Sequence, residues 1–315
     1  MTSAPAARKG ARSIHLFVSS MSAGGRSVSV GPSVVRALRA GGWRVSVTLT
    51  TQSDDPSALA GQARADVIAG LGGDGFISAI ARGCHESASL FAPIPGGRGN
   101  DLCRALGIGA DPLARARSLA ELGLSTDETD LLIAQRTKPL DGMWVTEEGA
   151  EGRTLVLGVV SMGIDARANV LANESFLTSG PLAYGYGAFA ALASFRPVPV
   201  KARIDGEDRD LTGWLASISN SGRIGGGIHL VPQSDLHDGL MEVCHVGTVP
   251  LRTVVSALVT VVAGRSRGHE EIAVETADTV EVLEPVGLVA MADGDRVAEV
   301  PFTTTRAPHV VDVLL

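Results

Sequence analysis

The chain has 315 residues, of which 45% are hydrophobic and 19% charged. At about 150 residues per domain this suffices for two domains with buried cores, and it excludes a globally disordered chain. The formal net charge of −7 argues against a general nucleic-acid binder, whose affinity rests on Lys and Arg at the phosphates. Gly is abundant, at 38 residues, while aromatics make up only 4%, a texture of many tight turns and few large anchors. The three cysteines, Cys84, Cys103 and Cys244, lie far apart without a CxxC pair. The expected setting is therefore reduced and cytoplasmic, with no zinc knuckle or disulfide framework.

Residues 1–12 are small and basic and read as a disordered lead-in; they lack the apolar run of a secretory signal. A short apolar strand is expected over 13–19, then a Gly/Ser-rich loop and a helix over 29–40 that stops at Gly41-Gly42. Residues 43–50 alternate, with Val45, Val47 and Leu49 on one face, which predicts a strand. An Ala/Leu helix follows over 57–65, a third strand over 66–71 and a helix over 76–83. A fourth strand at 90–94 and a helix over about 100–106 complete the alternation. Strands alternating with helices imply a parallel sheet covered on both faces, with ligands at the carboxyl ends of the strands.

Beyond about residue 140 the texture changes to short β runs broken by Gly, Asp and Pro, at 154–161, 200–204, 213–219, 241–246, 272–274, 279–283, 288–291 and 310–314. This predicts an antiparallel sandwich with helical interruptions at 182–194 and 248–263. The longest apolar run, residues 254–263, is about half of the ~20 residues a membrane span needs. The expected organisation is an α/β domain over 13–140 and a β-sandwich domain over 141–315, the two facing each other across a cleft.

Both Gly-rich loops fall at the ligand edge of the predicted parallel sheet. The first, Gly70-Leu71-Gly72-Gly73-Asp74-Gly75, fits G-x-G-x-x-G between strand and helix. No acidic residue ends the next strand to hold a ribose, and Asp74 sits inside the loop. A carboxylate beside a pyrophosphate repels it unless a cation is shared, so the loop suits phosphate plus Mg²⁺ rather than a dinucleotide. It is not a Walker loop, since no GxxxxGK[ST] occurs. The second loop, Pro95-Gly96-Gly97-Arg98-Gly99-Asn100-Asp101, again ends in an Asp at a helix start. Asn100 and Asp101 also fit an ordinary helix N-cap.

Together, Gly72-Gly73-Asp74-Gly75 and Gly97-Arg98-Gly99-Asn100-Asp101-Leu102-Cys103-Arg104 resemble the paired GGDGT and GTGND motifs of the diacylglycerol kinase catalytic domain, the superfamily of bacterial lipid kinases, ceramide kinase and sphingosine kinase. The likeness runs on through Lys138-Pro139-Leu140-Asp141, Ser161-Met162-Gly163-Ile164-Asp165-Ala166 and Asn220-Ser221-Gly222. It continues in Gly225-Gly226-Gly227-Ile228, in the segment from Pro232 through Asp235, Asp238 and Gly239 to Leu240, and in Asp293-Gly294-Asp295. The chain departs from the pattern at Phe76 and Arg98, where the family carries Thr, and Ser19-Ser20-Met21-Ser22-Ala23-Gly24-Gly25 replaces its NPxSG.

The resemblance implies an ATP- and Mg²⁺-dependent lipid kinase that phosphorylates a hydroxyl of diacylglycerol or a related lipid. Gly72, Gly73, Gly75, Gly97 and Gly99 would then cradle the triphosphate, in loops completed by Asp74, Phe76, Asn100 and Asp101. Arg98 would clamp it, and Thr50 or Thr51 would touch the nucleotide. Asp74, Asp101 and Asp141 would hold Mg²⁺, and a second, structural metal would sit on Asp235, Asp238 and the carbonyl of Leu240. Asp293 would take the proton of the lipid hydroxyl, with Asp295 the rival for that role. Asp293-Gly294 also fits a plain hairpin turn, and Asp238-Gly239 has the same ambiguity. Tyr184, Tyr186, Phe189, Phe195 and Arg196 suit either a lipid slot or a helix packed on the sandwich. Peripheral, transient contact with the inner face of the membrane is implied, and such enzymes commonly form homodimers. Two further readings stay open: a catalytically silent lipid- or nucleotide-binding homologue, motivated by Phe76 and Arg98, and an NAD kinase-like enzyme, which shares the first loop.

Overall fold

The computed structural model describes residues 10–163, 196–224, 228–262 and 272–315. The helix expected over 182–194, the aromatic cluster up to Phe195, Asp165, Gly225–Gly227 of the triple glycine and most of the lead-in lie outside the described residues. The chain divides into two compact units, residues 1–140 with 310–315, and residues 141–309.

In the first unit four strands run parallel in the spatial order Phe91–Pro95, Val67–Gly72, Ser13–Ser19, Arg44–Thr50. Helices α1 (Arg26–Ala40), α2 (Pro56–Gln62) and α3 (Asp74–Ser87) connect them. After the fourth strand come α4 (Asp101–Ala105), α5 (Pro112–Ala120) and α6 (Asp127–Arg136). Ile14, Leu16 and Val18 alternate along the first strand toward one face, where they form a core with Val34 and Leu38 of α1 and Ala116 and Leu119 of α5. On α3, Ile80 packs against Gly70 of the third strand, where a side chain would come within 3.3 Å of it. Fully burying one such aliphatic residue is worth about 1.5–3 kcal/mol, so the two helical layers hold the sheet from both faces. The Trp43 indole N–H donates to the Leu119 carbonyl at 2.7 Å and fixes the start of the edge strand against α5. The last residues of the chain return to this unit, where Val313 pairs in parallel with Phe91. The buried Arg115 guanidinium donates to the carbonyls of Pro93 and Leu314, and burial lowers its pKa to about 10.

The second unit is an antiparallel sandwich. One sheet has six strands in the order Ile272–Ala277, Met241–Gly247, Gly213–Ser219, Val159–Gly163, Val289–Ala292, Asp295–Glu299. The other contains Glu207–Asp210, Lys201–Ile204, Thr279–Glu284 and the start of the long strand Phe302–Leu314. Thr137–Glu147 pairs with that long strand and with Thr154–Val156. The inward positions of both sheets, Val160, Met162, Ala216, Ile218 and Val243 against Ala202, Ile204, Val280, Val282 and Phe302, form one core. No helix among the described residues is long and apolar enough to cross a membrane.

The expected class, a parallel-sheet α/β domain followed by an antiparallel sandwich, is the one observed. Several bounds differ. Helix α3 begins at Asp74 and runs to Ser87, longer than the expected 76–83, because Gly73 closes the strand and the first turn starts at the aspartate. Helix α1 starts at Arg26, directly after Gly25, whose left-handed backbone ends the preceding loop. The strand Glu207–Asp210 lies outside the expected runs, since its polar residues hide the β alternation, while Asp295–Glu299 is the strand that a hairpin at Asp293-Gly294 requires.

The His15 ring, half-buried on the first strand, stacks on Phe17 at 4.4 Å and meets the Thr48 hydroxyl at 2.8 Å. Burial holds its pKa below the ordinary 6.5. A base with a lowered folded-state pKa contributes stability above its unfolded pKa and loses it as the pH falls through that value. Wild type is therefore expected to lose stability relative to His15→Gln as the pH drops from about 7.5 to about 5, read from urea midpoints. Parallel pH profiles for the two proteins would contradict this.

Candidate active site

The third and fourth strands of the first unit end side by side, and their Gly-rich loops stay together beyond the sheet. The Gly96 N–H donates to the Gly72 carbonyl at 2.7 Å. A Cβ on Gly97 would lie 2.5 Å from the Gly73 Cα, so only glycine lets the two backbones approach this closely. The Gly73 N–H donates to the Ser22 hydroxyl at 2.9 Å, which brings the first strand's loop to the same place.

Asp74 opens α3 and turns its carboxylate toward the second loop, where Oδ1 accepts the Leu102 N–H at 3.0 Å. Its Oδ2 would lie 3.3 Å from a Cβ on Gly99, and an Asp101 oxygen would lie 3.0 Å from the same point. Two carboxylates thus converge on one glycine. Burial pushes the Asp74 carboxyl above its ordinary range, opposed by the N–H groups of Leu102, Asp101 and Asn100. Asn100 holds the turn that makes this possible: its backbone is left-handed, and its side chain bridges both the N–H and the carbonyl of Gly97, at 2.8 and 3.1 Å. The Arg104 Nε–H donates to the Gly99 carbonyl at 3.1 Å from the other side. Arg98, between the two glycines, is half-buried. Phe76 folds its ring over Gly72.

Thr50 is buried, and its hydroxyl donates to the Val18 carbonyl at 3.3 Å within the sheet. Thr51 is exposed and closes a turn with Asp54, whose carboxylate accepts both its N–H and its hydroxyl at 2.7 Å. Cys84 and Cys103 are buried and free, and burial raises both thiols, Cys84 to about 12.

In the second unit Asp141 is a buried clamp. Its Oδ1 accepts the His309 N–H at 2.6 Å, its Oδ2 accepts the Gly239 N–H at 2.7 Å, and its own N–H donates to the Leu236 carbonyl at 2.8 Å. The Asn220 amide donates to the carbonyls of Asp141 and Leu157 at 3.0 and 2.9 Å. Asp235, Asp238 and Leu240 lie exposed on the loop that Asp141 holds; each of the two aspartates caps an N–H two residues on, that of His237 and of Leu240. Glu242 is buried nearby; it accepts the Ser234 hydroxyl, and its carboxyl is raised by burial and by the charges of Asp238 and Asp235. Asp293 and Gly294 form a hairpin turn with φ of 54° and 91°, between the paired strands Val289–Ala292 and Asp295–Glu299. A Cβ on Gly158 would lie 2.5 Å from an Asp293 oxygen, so this glycine makes room for the carboxylate. Asp295 is exposed, yet its carboxyl is desolvated enough to be raised.

Of the predicted residues, the first unit brings together Gly72, Gly73, Asp74, Gly97, Gly99, Asn100 and Asp101. Thr50 and Thr51 spend their hydroxyls on the sheet and on a turn. The second unit sets Asp141 against the Gly239 loop and Asp293 on Gly158. Among the described residues no three His, Cys, Asp or Glu side chains gather as a preformed metal cluster. The sequence assigns no role to Ser22, the Leu102 N–H, Arg104 or Gly158, although Ser22, Leu102 and Arg104 lie within the quoted motif segments. Ser22 had a signal, since it lies in the segment that replaces the family's first motif; the Leu102 contact is made by backbone and leaves no trace in the residue type.

The Asp141 geometry generates a direct test. Asn at this position would turn an NH₂ toward a backbone N–H that now donates to a charged oxygen. Asp141→Asn is expected to cost about 2 kcal/mol, as for a lost charge-assisted bond at a buried site, measured by urea unfolding. An unchanged midpoint would refute the clamp.

Comparison with known proteins supplies the family. The diacylglycerol kinase catalytic domain profile matches residues 13–132, and the YegS C-terminal NAD kinase beta sandwich-like domain profile matches residues 158–315. The chain is 26% identical over 254 residues to a protein named diacylglycerol kinase from Mycobacterium tuberculosis, covering 79% of this chain and 76% of that one. It is 26% identical over 275 residues to the "Probable lipid kinase YegS-like" of Xanthomonas euvesicatoria, covering 83% of each. A crystal structure of a diacylglycerol kinase from Bacillus anthracis superposes with a TM-score of 0.72 at 18% identity, over 96% of this chain and 97% of that one, which establishes the shared fold. The chain belongs to the lipid kinase family defined by the diacylglycerol kinase catalytic domain and the YegS-type C-terminal sandwich.

Proposed function

We propose that the protein transfers the γ-phosphoryl group of ATP to a hydroxyl of diacylglycerol or a related lipid, with Mg²⁺. The observation that carries this reading is the convergence of the Asp74 and Asp101 carboxylates on Gly99, beside the backbone contact of Gly73 with Gly97. Two carboxylates at the ends of parallel strands repel a bare polyphosphate and suit one that shares a divalent cation. The donor set fits hard-cation chemistry, and the glycines leave room for phosphate oxygens where a Cβ would stand. Mg²⁺, when bound, supplies charge neutralisation for the transferring group.

The residues have distinct tasks in this reading. Gly72, Gly73, Gly97 and Gly99 admit the phosphates, while Asp74 and Asp101 hold the cation and Asp141 keeps the Gly239 loop in place. Asp293 accepts the proton of the lipid hydroxyl as its oxygen bonds the γ-phosphorus and the bond to the departing ADP breaks. Asp295, whose carboxyl is raised by desolvation, is the alternative acceptor. A structural cation on Asp235, Asp238 and the Leu240 carbonyl belongs to the same proposal. So do peripheral contact at the inner membrane face from the cytoplasm and assembly into a homodimer. A second reading, a nucleotide-binding homologue without catalysis, draws on Phe76, whose ring over Gly72 offers no hydrogen bond.

Transfer of labelled γ-phosphate from ATP to a lipid extract tests the reading. Wild type is expected to give an organic-soluble product whose mass names the lipid. Asp293→Asn is expected to reduce the rate by 10²–10⁴-fold, the range for a lost general base, with ATP binding kept. Asp74→Asn is expected to weaken both. ATP binding without product would favour the silent homologue.

A further inference from the structure

The geometry points to Arg98, at a position where the family motif carries Thr, as a direct phosphate ligand, a residue that sets nucleotide affinity and lessens its need for a divalent cation. This rests on the kinase reading above, at the nucleotide side of the same site. Among the described residues the Arg98 Nε–H is buried and meets no hydrogen-bond acceptor. A buried donor without a partner destabilises the protein that carries it, so such a group is retained where a ligand completes it. Its position agrees. Arg98 stands between Gly97, whose backbone touches Gly73, and Gly99, against which the Asp74 and Asp101 oxygens rest. A guanidinium offers five donors in a planar fork that matches phosphate oxygens.

The neighbouring substitution makes the argument more specific. Phe76, on the first turn of α3, lays its ring over Gly72 and contributes no donor. The phosphate contacts that a hydroxyl on each loop would share therefore fall to the second loop. Charge shifts the same way. Asp74 and Asp101 bring two negative charges when ionised, and Arg98 returns one positive charge, where a hydroxyl would return none. A polyphosphate approaching without a divalent cation meets less repulsion here than at a pair of carboxylates alone.

The test is equilibrium titration of the whole protein with ATP, in Mg²⁺ and in EDTA, for wild type, Arg98→Met, Arg98→Lys and Arg98→Thr. In Mg²⁺, Arg98→Met is expected to raise the Kd for ATP about thirtyfold, or ~2 kcal/mol. Arg98→Lys is expected to recover part of this, because it keeps the charge but not the fork. In EDTA the loss is expected to be larger, so the Mg²⁺-to-EDTA ratio of Kd values should widen at least threefold in Arg98→Thr. Without nucleotide the melting temperature of Arg98→Met should equal or exceed that of wild type, since the orphan donor is gone. An Arg98→Met protein that is folded and binds ATP within twofold of wild type overturns the inference and leaves the kinase reading intact. Absence of ATP binding by wild type at millimolar concentration overturns both.

Discussion

The first unit turns on one close backbone approach. The Gly96 N–H reaches the Gly72 carbonyl, and Gly97 rests on Gly73, so the ladder between two parallel strands continues one step past the sheet. Any side chain at Gly97 would force the loops apart. Everything charged in the site follows from that contact. Asp74 can reach the Leu102 N–H only because the second loop turns back beside it, and Asp101 meets the same glycine for the same reason. A parallel sheet ordinarily leaves such loops to diverge over its carboxyl edge; glycine at both crossing points keeps them together.

The second unit has its own organising group. Asp141 is buried and surrounded by donors: the N–H groups of His309 and Gly239 point at its two oxygens. Burying a carboxylate is costly without such partners, and backbone donors are the least movable that a protein has. The result ties the start of the sandwich, the loop bearing Asp235 and Asp238, and the bend at His309 into one rigid node. Asn220 extends it to Leu157, next to the glycine on which Asp293 rests. A residue that the family resemblance casts as a metal ligand thus has both oxygens engaged in holding backbone, with lone pairs left over for a cation or water.

Much of this was legible in the residues because the signals were repeated. Strand–helix alternation through the first hundred residues specified a parallel sheet, and the Gly-Asp clusters fell at the strand ends where ligands of such sheets bind. The short, Gly-broken runs after residue 140 specified the sandwich. What escaped was carried by backbone or by polar strands. Glu207–Asp210 has four polar residues and forms an edge strand because its partner, Lys201–Ile204, pairs with it in register. Asp293-Gly294 shows why the turn and the functional readings do not compete. The left-handed backbone that makes it a hairpin also aims the carboxylate onto Gly158, a contact that no spacing rule encodes.

The two departures from the family's loop motifs have unequal consequences. At Phe76 a donor is exchanged for an apolar ring, and the ring finds packing against Gly72 at the strand end, so the loop gains contact area while losing polarity. At Arg98 a position that carries a neutral hydroxyl in the family acquires a charge, on the loop whose Gly99 faces the Asp74 and Asp101 oxygens. Asp74 spends one oxygen on the Leu102 N–H, and the Arg98 Nε–H meets no acceptor among the described residues. The loop therefore carries acid and base together, a combination that suits a ligand carrying both a cation and an anion, and a metal–polyphosphate is that kind of ligand.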